Sequence, residues 1–273
     1  MRASPTPAEP VPLNRGRTGM RYSACIEWLF AETGDFPDRI RAARAAGLEG
    51  VEFWQWSSKD LAVVAAALAD TGMSLTGIIA EPMVALTDST QRPAFIEGLR
   101  RSVDAASRLG CQALFVQAGA DLTGRSREAQ RDALVACLSA AADVLRGTGV
   151  TLLLEPLNTR VDHPGYFLPS TVGALDIIDD VGRREVRLLY DLYHSAMMGE
   201  EVEAVLGRRV DRVGHMHLAD APGRHEPGTG TLDWRRRLEW LVANGYEGWV
   251  GLEYLPTRPT RETLSFLSDR SLR

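Results

Sequence analysis

Two rhythms of apolar residues alternate along this chain. Short, largely aliphatic runs of five to ten residues are separated by longer stretches in which apolar side chains return every three or four positions. The short runs are RYSACIEW from Arg21, LEGVEFW, MSLTGIIA, CQALFVQAG, TLLLE from Thr151, VRLLYD, DRVGHMHLAD and YEGWVGLEY. Each predicts a strand. Between and after them the spacing predicts helices over residues 36–46, 61–69, 93–109, 127–146, 170–181, 201–206, 234–242 and 260–267. In the 93–109 segment, for example, Phe95, Leu99, Val103 and Ala106 fall on one side.

Eight strands alternating with eight helices call for a parallel sheet, since each helix returns the chain to the same edge. Glycines at 47, 72, 110, 149, 182 and 245 stand just before the next strand, where a helix C-terminus needs a left-handed residue. The pattern predicts a (β/α)8 barrel, a TIM barrel, formed as a single domain by residues 20–273. A doubly wound open sheet is the runner-up, weakened by the lack of a Gly-rich phosphate loop after the first strand. The first 19 residues hold four prolines and no apolar stretch, and read as a flexible tail, not a secretory signal.

Composition narrows the function classes. The chain has 273 residues, is 45% hydrophobic and carries a formal charge of -5. That balance gives no electrostatic basis for nucleic-acid binding. No apolar run approaches the ~20 residues of a membrane helix. Three cysteines, Cys25, Cys111 and Cys137, are too few and too scattered for a disulfide frame or zinc site. They imply reduced thiols and a cytoplasmic setting. The sequence is compatible with a homo-oligomer.

The chemistry gathers at strand ends. Glu155 closes TLLLE, Asp191 closes VRLLYD, His217 lies near the end of DRVGHMHLAD, and Glu253 ends WVGLE. A charged side chain ending a buried strand needs a cation, a proton or a partner. In a barrel, the C-terminal strand ends carry the active site. Three carboxylates and an imidazole suit a divalent cation such as Mg2+, Mn2+ or Co2+ and leave coordination positions open for a substrate. Unrelated ion pairs at the barrel end are the bland alternative. Period-two alternation sets Thr151 and Leu153 beneath Glu155, Trp249 and Gly251 beneath Glu253, and Val213 and His215 beneath His217. His215 reads better as a hydrogen-bonded core histidine than as a ligand. His194 follows Asp191 by three residues, placed to orient a substrate hydroxyl or support the metal ligand. Glu52, Trp54 and Trp56 share one face of the second strand, so the two indoles either wall a pocket or pack against a helix. Asn158, Arg160 and Arg224 sit in loops above the barrel.

The segments LLLEPLNTRVDHPGYFLPST, YDLYH, GHMHLADAPGRHEPGTG and GYEGWVGLEY resemble the hydroxypyruvate isomerase family, a branch of the xylose-isomerase-like barrels. The EPLNTR and PGRHEPGTG stretches are the most specific. The resemblance implies that Glu155 and Glu253 are the catalytic carboxylates and that Glu155, Asp191, His217 and Glu253 hold the metal. One departure is His217: Gln is common there in this family, whereas His is typical of the sugar epimerases. The implied reaction moves a proton between adjacent carbons of a small hydroxy-keto acid through an enediolate, with hydroxypyruvate going to tartronate semialdehyde. Arg160 and Arg224 are the candidates to grip the substrate carboxylate, with Asn158, His194 and Trp54 completing the pocket. The alternatives are a 2-oxo-tetronate isomerase, a ketose epimerase or sugar isomerase, and a non-catalytic sugar-binding barrel. An apurinic-site endonuclease needs histidines on early strands, and the first histidine here is His163.

Overall fold

The computed structural model describes residues 20–268; the tail expected at residues 1–19 lies outside them, as do residues 269–273. Eight strands form a closed barrel: β1 (Arg21–Cys25), β2 (Gly50–Glu52), β3 (Ser74–Ile79), β4 (Ala113–Gln117), β5 (Thr151–Glu155), β6 (Val186–Asp191), β7 (Val213–Leu218) and β8 (Trp249–Leu252). Neighbours pair parallel in sequence order, and β1 closes on β8. The α-helices, in chain order, are α1 (Phe36–Ala45), α2 (Leu61–Thr71), α3 (Arg92–Leu109), α4 (Arg127–Leu145), α5 (Thr171–Val181), α6 (Leu192–Met197), α7 (Val202–Leu206), α8 (Trp234–Ala243) and α9 (Thr260–Thr263). The expected barrel is the observed fold. None of these helices is long and apolar enough to cross a membrane.

The main core lies between barrel and helices. Leu114, Leu152, Leu154, Leu188 and Met216 face outward into it, meeting Leu99, Leu138 and Ile178 from the helices. Side-chain caps start several helices: Asp60 accepts from Ala62 N and Val63 N, Ser126 from Ala129 N, and Ser170 from Gly173 N. The six glycines expected to end helices all have φ between 61° and 93°, where an L side chain costs ~1–2 kcal/mol.

The barrel interior has two unlike sides. Ile79, Phe115, Leu153 and Leu189 form a small apolar cluster. Against it, with the Phe115 and His215 rings 5.3 Å apart, Ser23, Glu52, Thr76 and His215 form a buried hydrogen-bonded network. Register then sets the functional ends at a common height: Cys25 pairs with Glu52, Gln117 with Glu155, Asp191 with His217, and Leu218 with Leu252, one residue before Glu253.

Four local expectations change. β2 ends at Glu52, after a register shift against β3, so Trp54 and Trp56 do not share a strand face. Trp56 instead donates from Nε1 to Ser102 on α3. In β7 the pairing with β6 skips Gly214, so Val213 turns out into the main core instead of lying beneath His217. α6 begins directly at the end of β6, because Asp191 also caps it, its Oδ1 accepting from His194 N at 2.9 Å. The last predicted helix is a single turn, α9, continued by a 3-10 segment.

Candidate active site

Glu155, Asp191, His217 and Glu253 come together at the C-terminal mouth of the barrel. Each offers a ligand atom within 4.8 Å of the others, and each residue is at most 5% exposed. His217 Nδ1 lies 3.3 Å from Glu253 Oε2, 3.5 Å from Glu155 Oε1 and 4.0 Å from Asp191 Oδ2. None of these contacts is aligned as a hydrogen bond, and among the described residues Nδ1 has no hydrogen-bond partner. An orphaned imidazole nitrogen aimed into three carboxylates is a donor set that fits a divalent cation.

Each carboxylate is held from the side. Trp54 Nε1 donates to Glu253 Oε1 at 2.9 Å, and Arg224 Nη2 donates to Glu253 Oε2 at 2.6 Å. Gln117 Nε2 donates to Glu155 Oε2 at 3.0 Å. The Arg224 guanidinium packs against the rings of Trp28 and Tyr193, at 4.9 and 5.3 Å from their centroids, and lies 3.7 Å from Asp191 Oδ2. Arg224 is itself 9% exposed and sits at φ 55°, a left-handed conformation that strains a residue carrying a Cβ. The loop around it is fixed by Asp220, which accepts from the backbone of Ala221, Gly228 and Leu232.

The electrostatics follow from this crowding. Burial alone would strip the charge from Glu253, but His217 and Arg224 hold it well below the usual carboxylate range. Burial likewise works against ionised Glu52, and His217 and His215 outweigh it. Burial also disfavours a His217 cation, yet Glu253 and Glu52 raise its pKa well above the ordinary value. Asp191 goes the other way: burial raises it, with Glu253 adding to the rise against Arg224 and His217. His194 is lowered to about 3 by burial and by Arg224. It is therefore neutral across the physiological range.

His194 Nδ1 accepts the Asn158 backbone N–H at 3.2 Å, so its proton sits on Nε2, which has no hydrogen-bond partner among the described residues. Asn158 is fully buried behind it. Its Oδ1 accepts from Val161 N and Asp162 N, and its Nδ2 donates to Asp162 Oδ2. Asn158 thus builds the loop and orients His194 without lining the cavity. Arg160 is exposed, donates to Met197 O at 3.3 Å, and stands outside the cavity wall. His215 is the core histidine expected, its Nε2 2.9 Å from Glu52 Oε2.

The cavity above these groups measures about 680 Å3. Glu155, His194, His217, Arg224 and Glu253 form its polar side. Ile79, Pro82, Met83, Leu86, Phe115 and Tyr166 line the other. Sequence reasoning missed Gln117, Trp28, His163 and Tyr166 as wall residues. Gln117 carried a signal, being a polar residue at the inward end of an otherwise apolar strand. Trp28 and Tyr166 carried none, because the chain reaches the cavity there by loops.

The family described as xylose isomerase-like TIM barrel matches residues 40–270. A putative hydroxypyruvate isomerase of Homo sapiens is 35% identical over 261 residues, covering 91% of this chain and 94% of its own. The hydroxypyruvate isomerase of Escherichia coli K12 is 32% identical, covering 91% and 98%. The 2-oxo-tetronate isomerase of Cupriavidus necator is also 32% identical, covering 90% and 97%. Among solved structures, an AP endonuclease family 2 protein of Brucella melitensis superposes with TM-score 0.86 at 30% identity, over 91% of this chain and 98% of that one. A family match over most of the barrel, together with relatives above 30% identity across nearly their whole length, makes this chain an isomerase of the hydroxypyruvate isomerase family, within the xylose isomerase-like TIM barrels.

Proposed function

We propose that the protein is a metal-dependent isomerase of a small hydroxy-keto acid, with hydroxypyruvate, converted to tartronate semialdehyde, as the leading substrate. The observation that carries this reading is the convergence of Glu155, Asp191, His217 and Glu253 beside a buried arginine. Those four residues would hold the cation, of Mg2+, Mn2+ or Co2+ character. When bound, it supplies charge stabilisation to the carbonyl and to the oxygens that become negative as the carbon acid ionises.

The protein groups divide the rest of the work. Arg224 presents a guanidinium whose Nε has no partner among the described residues, packed against two aromatic rings, and suited to a substrate carboxylate. His194 presents its Nε2–H to a substrate oxygen; being neutral, it stabilises developing charge without giving up the proton. Glu155 and Glu253 are the bases. One removes the proton from the hydroxymethyl carbon, and the hydroxyl proton on that carbon passes to the former carbonyl oxygen. The same or the other glutamate delivers a proton to the former carbonyl carbon. Gln117 and Trp54 fix the angle of each carboxylate, which a proton transfer between adjacent carbons requires. Trp28 and Trp54 cover this end of the cavity.

A second reading is an epimerase or isomerase acting on a longer 2-oxo acid or ketose. His217, in place of glutamine, and a cavity roomier than a three-carbon acid needs both favour it. Steady-state turnover of hydroxypyruvate, a 2-oxo-tetronate and neutral ketoses, with and without added Mg2+ or Mn2+, separates the readings. Preference for a neutral ketose would overturn the first.

A further inference from the structure

Beneath the carboxylate cluster lies a second group of ionisable side chains that the proposed chemistry does not use. Glu52 is 1% exposed at the end of β2. Its Oε2 takes the hydroxyls of Ser23 and Thr76 at 3.0 Å each and lies 2.9 Å from His215 Nε2. Its Oε1 faces His217 Nε2 across 3.0 Å, and neither atom has an aligned hydrogen bond among the described residues. Gly251 makes room for this contact: a Cβ there would stand 2.4 Å from Glu52 Oε1 and 2.7 Å from His217 Cδ2.

We infer that Glu52 is a positioning residue that selects the tautomer of His217 and so controls cation affinity at the cluster above. This rests on the cation reading given under Proposed function. An imidazole has two nitrogens, and here they face different groups. Nδ1 faces Glu155, Asp191 and Glu253; Nε2 faces Glu52. A carboxylate accepts hydrogen bonds and cannot donate them, so the Glu52 charge 3.0 Å away favours the proton on Nε2. The lone pair of the neutral ring is then on Nδ1, directed at the three carboxylates. A carboxylate behind a ligating histidine fixes ring orientation and raises its basicity.

Glutamine at position 52 would reverse this with almost no change in volume. Three donors already converge on Oε2: the Ser23 and Thr76 hydroxyls and the His215 ring. The amide oxygen of a glutamine must occupy that place. Its NH2 then takes the Oε1 position and donates to His217 Nε2, which forces the proton onto Nδ1. The nitrogen facing the cluster becomes a donor and cannot ligate. A simple packing role for Glu52 predicts no such effect, because Glu and Gln fill the same space.

The test is cation affinity, measured on purified protein by competition between the site and a fluorescent chelator for Mn2+ or Co2+. E52Q should bind about 10- to 100-fold more weakly than the parent, with its folded circular dichroism retained. The second measurement needs no variant. In the parent loaded with diamagnetic Zn2+, long-range 1H–15N spectra should show His217 protonated at Nε2 and bound through Nδ1. An E52Q protein that binds as tightly as the parent overturns the inference, as does a loaded parent with the proton on Nδ1. Two ions per chain would also overturn it, because Glu52, His215 and His217 would then be ligands of their own. These results stand apart from turnover: a parent that binds one ion normally but ignores hydroxypyruvate removes only the substrate assignment, whereas a parent that binds no ion removes the cation reading and this inference together.

Discussion

Replacing Gly251 with alanine adds one methyl group at the most crowded point of the barrel interior. The new Cβ would fall 2.4 Å from Glu52 Oε1, 2.7 Å from His217 Cδ2 and 2.8 Å from Glu52 Oε2. Glu52 cannot give way cheaply, because Ser23, Thr76 and His215 hold its other oxygen. Overpacking in a close-packed interior costs about 1–3 kcal/mol. Losing one charge-assisted hydrogen bond adds about 1.5–3 kcal/mol. Together they destabilise the fold by about 2.5–6 kcal/mol, which for a barrel of this size lowers Tm by about 5–24 °C. Because His217 is displaced as well, divalent-cation affinity should fall in the same variant. Gly47→Ala is the control: Gly47 has φ 89° and, among the described residues, nothing within 4 Å of an added Cβ. Its cost is backbone strain alone, and cation affinity should be unchanged. Thermal unfolding followed by circular dichroism, with chelator competition on the same samples, reads both quantities. A G251A protein that melts within a degree of the parent and keeps its cation affinity would refute the reasoning.

Three further outcomes follow from the site. E155Q and E253Q each keep size and hydrogen bonding but remove a base, so turnover should fall by roughly two to four orders of magnitude at full cation occupancy; near-normal rates in either variant would remove that residue from proton transfer. R224A should lower kcat/KM for hydroxypyruvate about tenfold to over a hundredfold, through loss of a charge-assisted contact worth about 1.5–3 kcal/mol, while a neutral ketose should lose less; equal losses for both would remove the carboxylate grip. His194, with a folded pKa of about 3 against 6.5 for the free imidazole, remains unprotonated in the fold where the unfolded chain takes up a proton. Its contribution to stability is therefore full above pH 6.5 and is lost as pH falls from 6.5 towards 3. His217, shifted the other way, contributes below 6.5 and loses its effect only at higher pH. In EDTA-treated protein, the drop in urea midpoint from pH 7 to pH 5 should be smaller in H194Q than in the parent, and identical drops would count against the assignment.

Much of this architecture was legible because the barrel writes itself twice, in apolar runs and in helix-ending glycines. The four strand-end residues could be named from sequence since each is a polar group closing a run that must be buried. What the sequence did not disclose was geometry made by irregularity. β2 stops after Glu52, and the chain then swings Trp54 over the cavity and Trp56 away from it, where unbroken alternation put both on one face. The skipped Gly214 turned Val213 outward for the same kind of reason. Asn158 and Arg160 lie two residues apart in one loop, and spacing could not tell that Asn158 would bury itself behind His194 while Arg160 turned to Met197. Glu52 was visible as a polar residue on an inward face, but its partners come from β1, β3 and β7. Those contacts exist only once the barrel is closed.

The most direct test of the account is the fate of hydroxypyruvate in D2O with protein carrying one Mn2+ or Mg2+ per chain. The predicted result is conversion to tartronate semialdehyde with deuterium from solvent at the carbon that was the carbonyl, abolished by EDTA and restored by adding the cation back. Conversion undiminished in EDTA-treated protein, or no conversion alongside ready turnover of a neutral ketose, would contradict it.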